Sequence, residues 1–194
     1  MQFRKAVQWS HSIIRDVIGP GDCAIDATAG NGHDTQFLCG LVAPNGRVYS
    51  FDIQPQAITS TASRLEKAGI NSSLYHLVCD SHANMNQHIG DTDRPKIKAI
   101  MFNFGYLPGG DHSLVTKAET SLQAVRQSLD LLAPGGRMTL TFYTGHPGGP
   151  EEADTIQQYI AHISPSDFVA LTYKFLNLPN NPPYVVAVER TLGG

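Results

Sequence analysis

Cys23-Ala24-Ile25-Asp26-Ala27-Thr28-Ala29-Gly30-Asn31-Gly32-His33-Asp34 is the stretch on which the fold turns. The apolar run at 23–28 predicts a β-strand, and a helical pattern begins at 34–43. Between them, Gly30 and Gly32 let the backbone turn sharply and approach a ligand closely. Two glycines after a strand also fit an ordinary tight turn. The dinucleotide-binding pattern wants a third glycine, where this chain has Thr35.

Outward from this stretch the alternation continues. Strand-like runs at 47–53, 73–79, 97–104, 136–143, 167–177 and 183–190 are separated by helical patterns at 55–69, 114–132 and 151–163. Strands alternating with helices predict an α/β fold with a mostly parallel seven-stranded sheet and helices on both faces. The last two strands lack a helix between them and meet through 177–183, which predicts a C-terminal antiparallel hairpin. Val7, Ile13, Ile14, Val17 and Ile18 give residues 6–18 an amphipathic pattern stopped by Gly19-Pro20. Residues 1–20 thus read as a helical extension of a single domain over 1–194.

Composition narrows the function classes. At 194 residues, 41% hydrophobic and a formal charge of -3, the chain can bury a core and is not generally basic. A nucleic-acid partner would need a local basic patch, for which Arg4, Lys5, Arg15, Lys174 and Arg190 are the candidates. Cys23 and Cys79 lie in apolar strand-like runs and are expected as buried, reduced thiols. Arg4, Lys5 and Arg15 without a continuous apolar stretch argue against a signal peptide, and no run approaches the roughly 18 apolar residues of a span. A cytoplasmic protein away from membranes is expected. The eight histidines form no HxxxH pair or Cys/His cluster, so no metal is expected.

In a doubly wound sheet, ligands bind beyond the carboxyl ends of the strands. Polar residues occupy four such ends. Asp26, within the first strand, suits a ligand carrying positive charge; equally, its carboxylate can bond the loop's own amides. Asp52 ends the second strand 22 residues beyond Gly30, where an acid can accept both hydroxyl hydrogens of a ribose, with Ile53 and Gln54 against base and sugar edge. After the third strand, Asp80 or Ser81 can reach a base edge, and His82 can pack near the sugar or cap a short helix. At the fourth end, the Asn103 side-chain carbonyl can accept hydrogen bonds from an amine, and Phe104 and Tyr106 can stack on a base, with Gly105 between them. Tyr143 and His146 form a rim that either contacts an extruded nucleoside or braces its own loop, with 177–183 as the opposite rim.

The run from Ala24 to Thr35, with Asp52 and Asn103 in register, resembles the Rossmann-like class I S-adenosylmethionine-dependent methyltransferases, although Thr28 stands where their first motif usually has a glycine. More narrowly, AIDATAGNGHDTQFL, VYSFDIQPQAI and FNFGYLPGGDH resemble a small family labelled rRNA methylases, over nearly the whole chain. That family includes a tRNA enzyme that methylates 5-aminomethyl-2-thiouridine at the wobble position. The resemblance implies S-adenosyl-L-methionine as cofactor, with S-adenosyl-L-homocysteine as product, and Asn31, Asp34, Asp52, Gln54, Ser81 and His82 as its contacts. With Asp26, Thr28, Gly30, Ile53 and Asp80 these form the expected cofactor site.

The expected reaction is N-methylation of an aminomethyl group on a modified wobble uridine, with the tRNA anticodon stem-loop as partner. Methylation of rRNA or a small molecule is the alternative, and an idle RNA-binding subunit or a nicotinamide oxidoreductase are rivals of another kind. Asn103 and Tyr106 would align the acceptor, and Asp26, His112 or a water would take the proton. A homodimer is expected to enlarge the basic surface.

Overall fold

The computed structural model describes residues 3–105 and 115–193. Tyr106 and His112, two of the expected catalytic residues, lie outside the described residues. The seven strands are β1 (Cys23–Asp26), β2 (Arg47–Phe51), β3 (Tyr75–Val78), β4 (Ile97–Phe104), β5 (Arg137–Phe142), β6 (Phe168–Tyr173) and β7 (Tyr184–Arg190). They form one sheet in the order β3-β2-β1-β4-β5-β7-β6. β1 to β5 pair in parallel, while β7 inserts antiparallel between β5 and β6. The chain order reverses direction at β1, so β2 and β4 flank it, and their carboxyl ends open the crevice where such sheets bind ligands.

The helices are α1 (Ala6–Arg15), α2 (His33–Val42), α3 (Pro55–Lys67), α4 (Ala118–Leu131) and α5 (Gly149–Ile160). Strand alternation sorts their contacts. Ala24, Val48, Ala99 and Met101 join Ile14, Leu38, Cys39, Val42 and Leu65 in one core, beneath α1 to α3. Ile25, Phe51, Ile100, Phe102, Phe104, Leu140 and Phe142 join Val125, Leu129 and Ile156 in the other, beneath α4 and α5. Because both faces are covered, β1 is buried at all four positions.

Three sequence expectations change. Helix α1 is no appendage: it packs on β5 and β7, with Ser10 Oγ 3.3 Å from Thr141 Oγ1 and Arg137 donating to the Ile13 carbonyl at 3.0 Å. Cys23 is buried as expected, but Cys79 is exposed, because β3 stops at Val78 and the cysteine falls in the turn beyond it. Arg190 ends the antiparallel β7, opposite Phe168 at the start of β6, so it sits at the sheet edge away from the crevice. No described helix is long and apolar enough to cross a membrane.

The α2–β2 connection depends on Gly46. A β-carbon there would lie 2.2 Å from the Asp22 carbonyl oxygen and 2.5 Å from Val42 Cβ. Both neighbours belong to packed backbone or core, so neither can yield cheaply. Gly46→Ala should therefore lower the unfolding free energy by about 2 kcal/mol or more, read as the shift of the urea midpoint. An unshifted midpoint would contradict this account.

Candidate active site

The loop after β1 sets the floor of the site. Gly30 and Gly32 have φ of 52° and 76°, in the left-handed region that glycine adopts without strain. A β-carbon on Gly32 would also meet Thr61 Cα of α3 at 2.9 Å. The loop is bound to its neighbours: Ala29 donates to the Phe51 carbonyl, Gly30 donates to Asp52 Oδ2 at 3.0 Å, and Arg64 Nε donates to the Asn31 carbonyl at 2.6 Å.

Two cavities open on this loop. One, of about 310 Å³, is lined by Ala27, Thr28 and Gly30 on the floor, by Asp52, Ile53, Gln54, Asp80, Ser81 and His82 along one wall, and by Asn103 and Gly105 at the end of β4. The other, of about 590 Å³, is lined by Asn31, His33, Asp34, Tyr143, His146 and the Asn180–Asn181 turn. Thr28, Gly30, Asn103 and Gly105 line both, so the cavities meet at the end of β4.

Along the first cavity, Asp52 is fixed by two amides, Gly30 on Oδ2 and Gln54 on Oδ1 at 2.9 Å, and burial raises its pKa. Each oxygen has a second lone pair for hydroxyl hydrogens. Ile53 is 54% exposed, an apolar plate beside the cavity. Asp80 accepts from Ser81 N and Asn84, and its bond to His88 at 2.9 Å holds it below the usual carboxylate range. The sequence left His82 between packing and capping. Ser81 is the cap, accepting from Ala83 N, and His82 is buried with Nδ1 3.2 Å from the Ala27 carbonyl. Burial lowers its pKa, so the ring is neutral at pH 7 with its proton on Nδ1.

Asn103 is held at both ends. Its backbone N–H donates to Thr28 Oγ1 at 2.8 Å, and its side-chain Nδ2 donates to Asp34 Oδ2 at 2.7 Å. The threonine in place of glycine in the first motif thus supplies the acceptor for the amide at the end of β4. Asp34, in the first turn of α2, is buried, and His11 Nε2 lies 2.6 Å from its Oδ1.

Two expected site residues move into the protein. Asp26 is fully buried and lines neither cavity; it accepts from Thr35 Oγ1 at 2.6 Å and Thr28 N at 3.2 Å. The second reading the sequence allowed, a carboxylate bonding its own loop, is the one observed, because β1 presents Asp26 to the underside of α2. It is therefore also out of reach as a proton acceptor. Phe104 is 1% exposed and stacks between Phe102 and Phe142, with centroids at 5.1 and 5.2 Å. Adjacent strand residues face opposite ways, so Asn103 in the crevice sends Phe104 into the α4–α5 core, where it cannot stack on a base.

Other lining residues carried no sequence signal. Val115, Thr116, Lys117 and Thr120 close the first cavity, and Thr116 Oγ1 both accepts from Gly105 N and donates to the buried Glu152. Glu152 also accepts from Ser121, and burial raises its pKa. Glu152 lies in the first turn of α5. His11 belongs to α1, the helix ahead of the first strand.

Burial, then the nearby Asp34 carboxylate, push Asp26 up to about 7. A folded pKa above the unfolded one means that the stabilisation is full below about pH 4 and fades as pH rises toward 7. The protonated acid can donate to Thr35 Oγ1, whose own hydrogen then goes to Ser50 Oγ at 3.0 Å. Asp26→Asn should copy that form. The wild-type protein should lose more than about 1 kcal/mol relative to this variant between pH 4 and 8, in urea unfolding at several pH values. A pH-independent difference would refute the burial argument.

Comparison with known proteins agrees with this geometry. The profile of the family described as "Putative rRNA methylase" matches residues 48–189. An Arabidopsis thaliana protein named tRNA (mnm(5)s(2)U34)-methyltransferase, chloroplastic, is 35% identical over 96% of this chain and 70% of its own length. The crystal structure of a "putative rRNA-methylase" from Clostridium thermocellum superposes with a TM-score of 0.93 at 37% identity, over 98% of this chain and 100% of that one. A "putative methyltransferase" from Streptococcus mutans, crystallised with SAH, gives a TM-score of 0.87 at 34% identity, over 97% and 99%. The chain belongs to the rRNA methylase family of Rossmann-like enzymes and is an S-adenosylmethionine-dependent methyltransferase.

Proposed function

We propose that the protein N-methylates the aminomethyl group of a modified wobble uridine in tRNA. The observation that carries this reading is Asn103, fixed from both ends where the two cavities meet. The Arabidopsis relative, named for methylation at U34 of tRNA, supports the choice of acceptor.

The first cavity fits the donor. The Asp52 carboxylate is placed for a ribose diol, Ile53 for the base, and Ser81 and Asp80 for polar edges. When bound there, S-adenosylmethionine supplies an electrophilic methyl group and leaves as S-adenosylhomocysteine. The protein aligns the acceptor and excludes water. Asn103 Nδ2 is committed to Asp34, which leaves its carbonyl oxygen to accept a hydrogen from the amine and turn the lone pair toward the first cavity. The second cavity, between Tyr143 and His146 on one side and Asn180, Asn181 and Pro183 on the other, receives the extruded nucleoside.

The RNA backbone approaches across the start of α1 and the end of β6. Tyr173 donates to the Arg4 carbonyl at 2.9 Å, which places Arg4 and Lys5 by the end of β6 on the α1 face of the sheet; Lys174, the next residue, lies over the Tyr184 ring on the opposite face. Arg15, at the far end of α1, lies over the Phe37 ring instead. Tyr173, Trp9, Phe175 and Phe3 form a chain of ring contacts through this patch. A homodimer and a cytoplasmic setting belong to the same reading.

Nucleoside mass spectrometry of tRNA from cells lacking the protein should show the aminomethyl form accumulating, and unaltered tRNA would overturn the assignment. In single-turnover transfer with saturating RNA, Asn103→Ala should lower the rate about 100-fold, while donor affinity by calorimetry stays within about threefold. A near-normal rate would remove Asn103 from the chemistry. Replacing Arg4 and Lys5 together by alanine should flatten the slope of log affinity for RNA against log salt by about 2. An unchanged slope would place the RNA elsewhere.

A further inference from the structure

Helix α1 reaches the site at two places: Val7 lines the second cavity, and His11 bonds an acid of its wall. His11 lines neither cavity, yet its Nε2 lies 2.6 Å from Asp34 Oδ1, and the other Asp34 oxygen accepts Asn103 Nδ2 at 2.7 Å. The ring is held in plane by stacking flat on Phe37, with centroids 3.8 Å apart and planes 4° apart. One residue earlier, Ser10 bonds Thr141, the residue paired with Asn103 across β4 and β5. The turn of α1 that carries His11 is thus pinned to the neighbouring strand beside the asparagine it serves.

We propose that His11 is a positioning residue for methyl transfer: by donating to Asp34 it fixes the carboxylate that fixes the Asn103 amide. A carboxylate with one donor on each oxygen cannot rotate about its bond to Cβ without losing one of them. An amide whose NH₂ faces that carboxylate cannot flip, because its carbonyl would then meet an acceptor. With His11 removed, Asp34 is free to turn, and the acceptor carbonyl at the cavity junction loses its fixed direction. Small errors in such alignment cost large factors in rate. The proposal rests on the acceptor role given to Asn103 above.

The rival explanation is that His11 merely fastens α1 to the body of the protein. Two variants separate them. His11→Phe keeps a flat ring on Phe37 and removes the donor; His11→Gln keeps a donor and removes the ring. With tRNA carrying the aminomethyl nucleoside, His11→Phe should lower kcat at least tenfold, with KM for RNA and donor affinity each within about threefold of wild type. His11→Gln should recover the greater part of kcat. Equal kcat in all three proteins, or a glutamine variant as slow as the phenylalanine one, would overturn the proposal. So would a loss confined to melting temperature or donor affinity.

A second readout needs no RNA. In ¹H–¹⁵N spectra of the full chain, the His11 Nε2 proton should appear far downfield, as expected beside a carboxylate, and move upfield in Asp34→Asn. Absence of that signal in wild type would overturn the hydrogen-bond chain. If wild type fails to methylate aminomethyl-uridine tRNA while the signal is present, the substrate assignment falls and the chain from His11 to Asn103 stands.

Discussion

A carboxylate removed from water must be met by donors, and Asp34 meets this demand with groups from two distant parts of the chain. His11 comes from α1 and Asn103 from β4, so three elements converge on one pair of oxygens. The convergence depends on where α2 begins. Its N-cap is Gly32 in the left-handed conformation, seated against Thr61 of α3, and that seat places the first turn of α2 at the end of β4. A side chain at position 32 would force α2 away from α3 and carry Asp34 with it. The N-terminal helix, the glycine loop and the fourth strand therefore behave as one structural unit.

The same residue type recurs at neighbouring strand ends with different consequences. Asp26 is enclosed beneath α2 and shifted toward its neutral form by burial and by Asp34. Asp52 is partly enclosed but satisfied by two backbone amides, with its free lone pairs on the cavity. Asp80 sits nearer to water, where its bond to His88 favours ionisation. Burial and donor count, rather than residue identity, divide these acids into a structural acid, a cavity acid and an ionised rim acid. The acids that line the cavities are Asp52, Asp80 and Asp34, not Asp26 as the sequence alone allowed.

How far the sequence was readable follows from the range of the interactions involved. Short apolar runs separated by helical patterns are local signals, and all seven strands fall within the expected runs. The rule that ligands meet the carboxyl ends of parallel strands then picked out Asp52, Asp80 to His82 and Asn103, all of which line the first cavity. Errors arose where orientation was needed. A strand buried on both faces has no polar alternation to show which way Asp26 points, and Phe104 was misjudged although Asn103 beside it fixes its direction. His11 and Glu152 were missed for another reason. Their partners lie 23 and 31 or more positions away, and only the packing of α1 and α5 brings them in.

The shared lining of the two cavities ties donor and acceptor together. Asn103 is anchored through its backbone to Thr28 and through its side chain to Asp34, and both anchors belong to the segment that carries the glycine loop. Gly30, at the centre of that loop, is bonded to Asp52 in the first cavity. A movement of the loop to accommodate a donor would therefore move the asparagine amide with it, because the connecting bonds are short and their groups are largely shielded from water. The loop that borders the donor cavity thus also carries both anchors of the acceptor asparagine. A threonine at position 28 strengthens that linkage, since a glycine there would leave the Asn103 N–H without its side-chain acceptor.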